Sequence, residues 1–368
     1  MSQPLAGLRV LDLTRFFPGG YCTLLLAQMG AEVVKVEPPN GGDPLRGVPA
    51  AHVGLNRGKR SITLDTRAAA AAGVMARLVA GADVLVESAK PGTPAVTGFG
   101  PEEAMAANPR LVWAGITGFG RDGPDAGQSG HDVTFLGRSG LLAALTDDLS
   151  WQPETMVSVP VGGLMAAFAI VSAVAGRERT GRGTVIDASL TDASTWMLSG
   201  FAQRLNGSPS GMGWSAGRRP YRCADGRYVT TAGSEDRTWR ALCDGLGVPE
   251  LGDRLRDPVG GQLEMAARIE AIFATRPAAD WVAELGHATV GAVHDGGDDL
   301  AADPHLGPRG VLVEVDGLRV PAAPARFDGE MPGPESPPPA LGADTDAILV
   351  EAGYSPAEIT DLRAAGTI

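Results

Sequence analysis

The chain has 368 residues, of which 44% are hydrophobic, and it carries a formal net charge of −12. This length predicts two domains or one large one, and the hydrophobic content is enough to bury a sizeable core, which excludes a disordered chain. The negative net charge argues against general binding to nucleic acid or to an anionic membrane surface, so we expect neither as a partner. A local basic pocket for a phosphorylated ligand stays compatible with it.

Three cysteines, Cys22, Cys223 and Cys243, lie far apart, and the sequence has no HExxH or clustered Cys/His pattern. We therefore expect no disulfide framework, no metal site and a reducing, cytoplasmic location. The first residues run directly into a strand-like segment, which is not typical of a signal peptide. The longest uncharged apolar stretch, 161–176, is shorter than the ~20 residues of a membrane span, so we expect a buried core helix there.

The first hundred residues alternate short apolar runs with helical patterns. Near-continuous Val/Ile/Leu runs separated by single helices predict a parallel sheet that is covered by helices on both faces. The runs that we interpret as strands are 8–14, 31–37, 61–65, 83–88 and 110–120, and the run 183–190 follows the long apolar stretch.

The second half of the chain predicts a separate unit and a return to the first. Residues 200–220 lack periodicity and are interpreted as a loop, after which a turn and a strand open the second unit, followed by helices. Further on, Asp316-Gly317 predicts the turn of a hairpin. Two short helices end the chain, and the last has Ser355 at its N-cap and Pro356 as its first residue.

Two groups of polar residues are candidates for a site. His131 and Asp132 follow a glycine-rich run, 115–120, whose spacing fits neither the dinucleotide fingerprint nor the P-loop. A histidine exchanges protons near neutral pH, which would suit a general acid–base site. The alternative is that the pair consists of polar loop residues without a catalytic role. The basic residues of 57–67 and Lys90 lie next to predicted strand ends, where α/β sheets bind ligands; the alternative is a solvated charge run.

Six stretches, in this order, resemble the family III CoA-transferases of the CaiB/BaiF type. Within that family, the "FFPGG" at 16–20, the "GHD" at 130–132 and the modest length are most similar to the α-methylacyl-CoA racemase branch. The matching stretches are 5–46, 55–65, 108–124, 130–135, 177–193 and 223–229.

The resemblance implies an α/β fold and an assembly. It implies a large Rossmann-like, CoA-binding domain with a parallel sheet, formed by residues 1–200 and 305–368, and a smaller α+β domain of residues 220–300. Residues 201–219 and 301–304 would be linkers. It also implies an interlocked homodimer and an acyl-CoA or related thioester substrate, whose CoA moiety is the carrier, with no prosthetic group.

The resemblance also implies a chemistry. The racemase inverts the carbon next to a CoA thioester through an enolate. His131 matches the catalytic base, Asp132 would orient it or stabilise its charge, and Glu235 matches a glutamate of the small domain. The glycines of 115–120 would admit backbone N–H groups to the enolate oxygen. The positions expected to bind CoA are Phe16, Arg57, Arg60, Leu64, Arg67, Ser88, Ala89 and Lys90.

One departure from the family bears on the reaction. A carboxylate that the racemases use as second acid/base, and the transferases as nucleophile, is expected at Ser158, Val159 or Pro160, and none of these is acidic. Glu154 is the nearest carboxylate upstream. A transferase loses its covalent route without this group. A racemase loses one base, which typically costs about 10²–10⁴-fold in rate.

A second departure concerns the carrier. Val96 stands near the position of an arginine that contacts CoA phosphate in the family.

From the resemblance as a whole we predict a racemase or epimerase, or a related isomerase, acting on a 2-methylacyl-CoA-like thioester through His131 and an enolate. The alternatives are a family III CoA-transferase, a member that acts on another thioester or acid, and a binding protein without turnover.

Overall fold

In a computed structural model of the chain, residues 3–208, 212–286, 289–333 and 336–368 are described. The chain divides into two compact units. Met1–Gly200 and Pro304–Ile368 form the first, and Phe201–Asp303 forms the second. The first unit thus contains both ends of the chain, and the second is an insertion between them.

The first unit is built on a six-stranded sheet of parallel strands in the order β3-β2-β1-β4-β5-β6. The strand order reverses between β1 and β4, which makes the sheet doubly wound. This confirms the predicted α/β fold with a parallel sheet. The strands are β1 (Arg9–Leu13), β2 (Glu32–Glu37), β3 (Arg60–Thr63), β4 (Val84–Glu87), β5 (Val112–Thr117) and β6 (Thr184–Ser189).

Helices cover both faces of this sheet. Alternate strand residues point to opposite faces, so Leu11 and Trp113 belong to one core and Val10 and Val112 to the other. The helices of this part are α1 (Phe16–Gln28), α2 (Pro49–Asn56), α3 (Ala71–Ala80), α4 (Pro101–Ala107), α5 (Asp132–Arg138), α6 (Leu141–Leu145), α7 (Ser158–Thr180) and α8 (Leu190–Trp196).

Helix α7 is longer and less buried than the sequence predicts. Its 23 residues contain the one stretch, in the part of the chain that the structure describes, that is long and apolar enough to cross a membrane, and 33% of that stretch is buried. A Cβ on Gly163 would lie 2.8 Å from Cβ of Tyr21, so this glycine lets α7 pack closely on α1. Leu164 and Phe168 are exposed on the helix. The predicted buried core helix is therefore confirmed for the face that carries Ala166, Ala167 and Ile170, which belong to a hydrophobic core, and is wrong for the exposed face.

The second unit has its own core and a small antiparallel sheet in the order β7-β8-β9. Trp239, Phe273 and Trp281 are buried in this core. Its elements are α9 (Ala202–Leu205), β7 (Pro220–Arg222), β8 (Tyr228–Thr231), α10 (Asp236–Gly245), α11 (Val259–Phe273), α12 (Ala278–Leu285), β9 (Val290–Ala292) and α13 (Gly297–Ala302).

The last segment returns to the first unit. Strands β10 (Leu312–Val315) and β11 (Leu318–Pro321) form the predicted hairpin, in which Asp316 and Gly317 have φ of 52° and 72°. Helices α14 (Thr345–Glu351) and α15 (Pro356–Ala364) follow. The predicted N-cap of α15 is confirmed, since the Ser355 hydroxyl accepts a hydrogen bond from the Glu358 N–H.

Candidate active site at the carboxyl edge of the sheet

A cavity of about 910 Å³ lies where the strands of the parallel sheet end. Arg15 follows β1, Arg67 follows β3 and Lys90 follows β4, while Thr117 ends β5 and Leu190 follows β6. All of its lining residues belong to the first unit. Its size and its place next to the reversal of the strand order are typical of a ligand site in a doubly wound sheet.

Three exposed cations line the cavity where β1, β3 and β4 end. No hydrogen bond or ion pair joins the side chains of Arg15, Arg67 and Lys90 to any described residue. We call these three the cavity cations. Cations without a carboxylate partner next to a cavity are suited to bind phosphate groups.

Five of the eight positions expected to bind CoA line this cavity. Arg15 was not among the expected positions, although it lies two residues after the end of β1. Because parallel strands place their ends at one edge of the sheet, position relative to a strand end was the signal that could have found it. The five are Phe16, Arg67, Ser88, Ala89 and Lys90.

The other three positions expected to bind CoA do not line the cavity. The Arg57 guanidinium donates to the backbone carbonyls of Gly54 and of Pro321, the latter at 2.6 Å. Leu64 is fully buried in the core between the sheet and α3. Both side chains contact other parts of the fold, and neither lines this cavity, where a ligand contact was expected.

Arg60 is the third of these positions, and it lies at the opposite edge of the sheet. It is the first residue of β3, so it lies at the amino end of the strand. Its guanidinium forms ion pairs with Glu32 and with Glu351, the latter at 2.9 Å. The sequence places Arg60 close to Arg67, but the length of β3 separates them.

His131 lines the cavity and is exposed. It is the N-cap residue of α5, and its backbone carbonyl accepts from the Thr134 N–H at 2.8 Å. No hydrogen bond or ion pair joins its imidazole to another described residue. The backbone of His131 is thus fixed by the start of a helix, while its ring is available to a ligand in the cavity.

The ring of Phe135 holds the segment before His131 in place. A Cβ on Gly118 would lie 2.4 Å from Cε1 of this ring, and a Cβ on Gly130 would lie 2.5 Å from the same atom. Phe135 also packs edge-to-face on Phe119, with ring centroids 5.2 Å apart. The glycines of this region therefore permit close packing around the histidine, which is a physical reason for the glycine-rich run.

Asp132 caps the amino end of α7. Its Oδ2 accepts a hydrogen bond from the Val157 N–H at 3.0 Å, and its Oδ1 accepts from the Val159 N–H at 2.8 Å. A carboxylate in this place satisfies otherwise unpaired amides and interacts favourably with the helix dipole. Asp132 therefore joins α5 to α7, and so links the histidine to the start of the long helix.

Ser158 is the first residue of α7 and lies between these two amides. Its side chain is fully buried, and its Oγ has no hydrogen-bond partner among the described residues. Glu154 is exposed and is not part of the cavity lining. Among the described residues that line the cavity, Asp132 alone carries a carboxylate.

Glu235 belongs to the second unit. It is the exposed N-cap residue of α10, and its backbone N–H donates to Thr238 Oγ1 at 3.2 Å. It is not a lining residue of the cavity in the first unit. Its part in catalysis stays a prediction.

A buried charge cluster lies beneath the cavity. Lys59 Nζ lies 3.0 Å from Asp12 Oδ2, and Lys35 Nζ lies 3.8 Å from the same oxygen. Burial raises the pKa of Asp12, but Lys35 and Lys59 outweigh it and hold this pKa well below its usual range. Both lysines belong to the framework of the sheet, so neither is available to a ligand.

Val96, which stands near the position of the expected arginine, lies in the loop after β4. It is buried, with 1% of its surface exposed, and forms a β-bridge with Phe99. Arg15, from the turn after β1, brings a cation to the cavity from a different part of the chain.

The fold and the cavity define a doubly wound α/β protein with a cavity lined by three cations at the carboxyl edge of its sheet. The model of CoA-transferase family III matches residues 5–345, and the chain belongs to this family. Members act on CoA thioesters, and they include racemases and CoA-transferases.

Three relatives illustrate this range. The chain is 30% identical to the alpha-methylacyl-CoA racemase of Homo sapiens, over 98% of this chain and 96% of that protein. It is 31% identical to the acetyl-CoA:oxalate CoA-transferase of Acetobacter aceti, over 89% of this chain and 90% of that protein. A CAIB/BAIF family protein from Brucella suis has a similar structure, with a TM-score of 0.83 and 30% identity, and covers 96% of this chain and 100% of its own.

Proposed function

We propose that this protein is an acyl-CoA isomerase of the racemase or epimerase type, which acts on a 2-methylacyl-CoA-like thioester. The observation that carries the proposal is the exposed His131 imidazole, without a partner among the described residues, in a cavity that has cations on one side and apolar residues on the other. The cavity cations are suited to the phosphates of CoA. The histidine is suited to the proton next to the thioester carbonyl.

The residues that surround His131 favour an apolar acyl group. The lining contributed by β5, α5, α7 and α8 has no lysine or arginine among the described residues. A dicarboxylic acyl group would bury a carboxylate there without a cationic partner, which is costly. The apolar residues of this side are Ile116, Phe135, Met156, Val159 and Leu190.

The proposed reaction breaks and reforms one C–H bond. The His131 imidazole takes the proton from the α-carbon, and the electron pair of the C–H bond moves to the thioester oxygen as an enolate. The enolate collapses when the α-carbon takes a proton back, from the imidazolium or from water. Atoms and electrons balance without any further reactant.

The missing second carboxylate predicts a characteristic stereochemistry. Inversion needs a proton donor on the face opposite His131, and both oxygens of Asp132 are occupied by backbone amides. His131 returns a proton to the face from which it took one. We therefore expect the α-proton to exchange with solvent faster than the configuration inverts.

Ser158 argues against acyl transfer. A family III transferase forms its covalent intermediate on a carboxylate, and Ser158 has a fully buried hydroxyl instead. A serine cannot form the mixed anhydride that the transferase route needs.

The test is proton exchange in deuterated water. We expect the parent protein to introduce deuterium at the α-carbon of 2-methylacyl-CoA, followed by mass spectrometry, and His131→Ala to lose this activity by about 10²–10⁴-fold. His305→Gln is the matched control, because His305 is exposed and is not part of the cavity lining. Its exchange rate should equal that of the parent.

Two other outcomes would overturn the proposal. Transfer of CoA to an added carboxylic acid, at a rate above exchange, would identify a transferase. Binding of the thioester without exchange or transfer would identify a binding protein.

A further inference from the structure

The turn 14–16, which leads from β1 into the first residue of α1, has a backbone conformation that its sequence does not favour. Phe16 has φ of 61°, in the left-handed region, although it is neither glycine nor asparagine. Phe16 is 51% exposed and lines the cavity. A bulky residue keeps such a conformation only where its surroundings impose it, and this kind of strain concentrates at functional sites.

The carboxylate of Asp43 contacts the backbone of this strained residue. Its carboxylate is 1% exposed, and its Oδ1 accepts from the Phe16 N–H at 3.3 Å and from the Leu45 N–H at 2.9 Å. Its Oδ2 forms an ion pair of 2.9 Å with the buried Nζ of Lys35. The amide of the strained residue is thus bound to a carboxylate that is itself fixed.

The two residues before Phe16 are held by separate contacts. Lys35 Nζ donates to the Thr14 carbonyl at 3.0 Å, and the Arg15 N–H donates to Ser88 Oγ at 3.0 Å. Thr14 also donates to Asp12 from its N–H, at 3.0 Å, and from its hydroxyl, at 2.6 Å. Every residue of the turn 14–16 is therefore bound to a group from another part of the chain.

We propose that Asp43 and Lys35 are positioning residues for the substrate: they hold the turn 14–16 so that the Phe16 ring and the Arg15 guanidinium face the cavity before the ligand arrives. This inference rests on the proposed binding of an acyl-CoA. Without the carboxylate, the turn relaxes toward negative φ at Phe16. The ligand then binds only the fraction of molecules that has the original turn, and its apparent Kd rises by the inverse of that fraction.

The first test is a double-mutant cycle read by calorimetry with coenzyme A. We expect Asp43→Ala to weaken the Kd on the order of tenfold, because the turn is no longer held. In Phe16→Gly the ring is gone and glycine adopts positive φ without strain, so adding Asp43→Ala should weaken the Kd by less than about twofold. If Asp43→Ala weakened the Kd for coenzyme A equally in the parent and in Phe16→Gly, the positioning role would be overturned.

A second test needs no ligand. Hydrogen–deuterium exchange of the peptide that contains residues 14–16 should rise in Asp43→Ala and stay unchanged in Asp83→Ala. Asp83 is the matched control, because its ion pair with Arg177, at 2.9 Å, lies at the amino edge of the same sheet. Unchanged exchange of the turn in a folded Asp43→Ala would contradict the inference.

The strain itself can be tested without altering Asp43. Glycine normally destabilises a folded protein relative to alanine, but at a left-handed position the order reverses. Phe16→Gly should therefore unfold at a higher urea concentration than Phe16→Ala. The opposite order would show that the backbone of Phe16 is not strained. Asp43→Asn, which keeps an acceptor for the Phe16 N–H, should bind coenzyme A more tightly than Asp43→Ala and replaces it if the alanine variant does not fold.

These measurements separate this inference from the proposed function. If the parent does not bind coenzyme A, the proposed substrate class fails, while exchange of the turn and the Phe16→Gly comparison still decide whether Asp43 holds the strained residue. If coenzyme A binds and Asp43→Ala binds it equally well, the positioning role fails and the proposed function stands.

Discussion

Two groups of cations in the first unit differ in what neutralises them. Arg57, Lys59 and Arg60, which we call the framework cations, lie within four residues of sequence and bind carbonyls or carboxylates of the fold. The cavity cations come from three separate turns and have no such partner among the described residues. Three of the four basic residues of 57–67 are thus structural charges, and only Arg67 of that run lines the cavity, where it is joined by Arg15 and Lys90 from other turns.

The difference follows from the geometry of a parallel sheet. Residues at the carboxyl ends of different strands meet at one edge, so single cations from separate turns combine into one site. Residues within one strand instead spread along its length and alternate between its faces. Basic residues that are close together in the sequence therefore lie in different environments of the folded protein.

The largest effect that tests this comparison is expected at Lys59. Its Nζ also lies 2.7 Å from Thr23 Oγ1 and 2.9 Å from Asn56 Oδ1, and its side chain is fully buried. Lys59→Met removes one of the two positive charges that neutralise the buried Asp12 carboxylate. We therefore expect a loss of about 3 kcal/mol in the free energy of unfolding, measured in urea. A loss below about 1 kcal/mol would contradict the assignment of Lys59 to the framework.

The same cluster predicts a dependence on pH. The pKa of Asp12 is held below its usual value of 3.8, so this carboxylate stabilises the fold above that value and loses its contribution as the pH falls further. Unfolding free energies between pH 5 and pH 2 should therefore fall more steeply in the parent than in Asp12→Asn. Equal slopes would show that Asp12 does not carry this dependence.

The next effect concerns Asp132, whose charge is satisfied inside the fold although it lines the cavity. Asp132→Ala removes the cap of α7, and we expect a loss of about 1–2 kcal/mol in unfolding free energy. Asp122→Ala, at an exposed loop position, is the control and should change stability by less than about 0.5 kcal/mol. An unchanged stability of Asp132→Ala would favour a purely catalytic role.

The cavity cations should show the reverse behaviour. We expect Arg15→Gln and Arg67→Gln each to weaken coenzyme A binding about tenfold, since each removes a charged hydrogen-bond donor, while unfolding changes by less than about 0.5 kcal/mol. Calorimetry and urea titration of the same samples measure both quantities. Loss of stability without loss of binding would move these residues to the framework group.

The smallest effect is expected at Arg60. Its ion pairs with Glu32 and Glu351 are partly exposed, so Arg60→Met should cost less than about 1 kcal/mol in unfolding free energy. Coenzyme A should bind this variant as it binds the parent. A tenfold weaker Kd would restore Arg60 to the binding site that the sequence predicted.

Local patterns predicted those parts of the fold that depend on neighbouring residues. The strands, the Asp316-Gly317 hairpin and the Ser355 cap follow from periodicity, turn chemistry and side-chain caps. The exposure of α7 was not predictable in this way. An Ala- and Gly-rich helix has no clear apolar stripe, so the face that packs is decided by the neighbours of Gly163.

The sequence by itself determined the α/β class, the family and His131 as the candidate base. The tertiary structure decided which polar groups remain available to a ligand, because their partners are far away along the chain. Arg60 binds Glu351, 291 residues away, and Arg57 binds the carbonyl of Pro321, 264 residues away. Such contacts form only when the end of the chain returns to the sheet, and no local pattern encodes them.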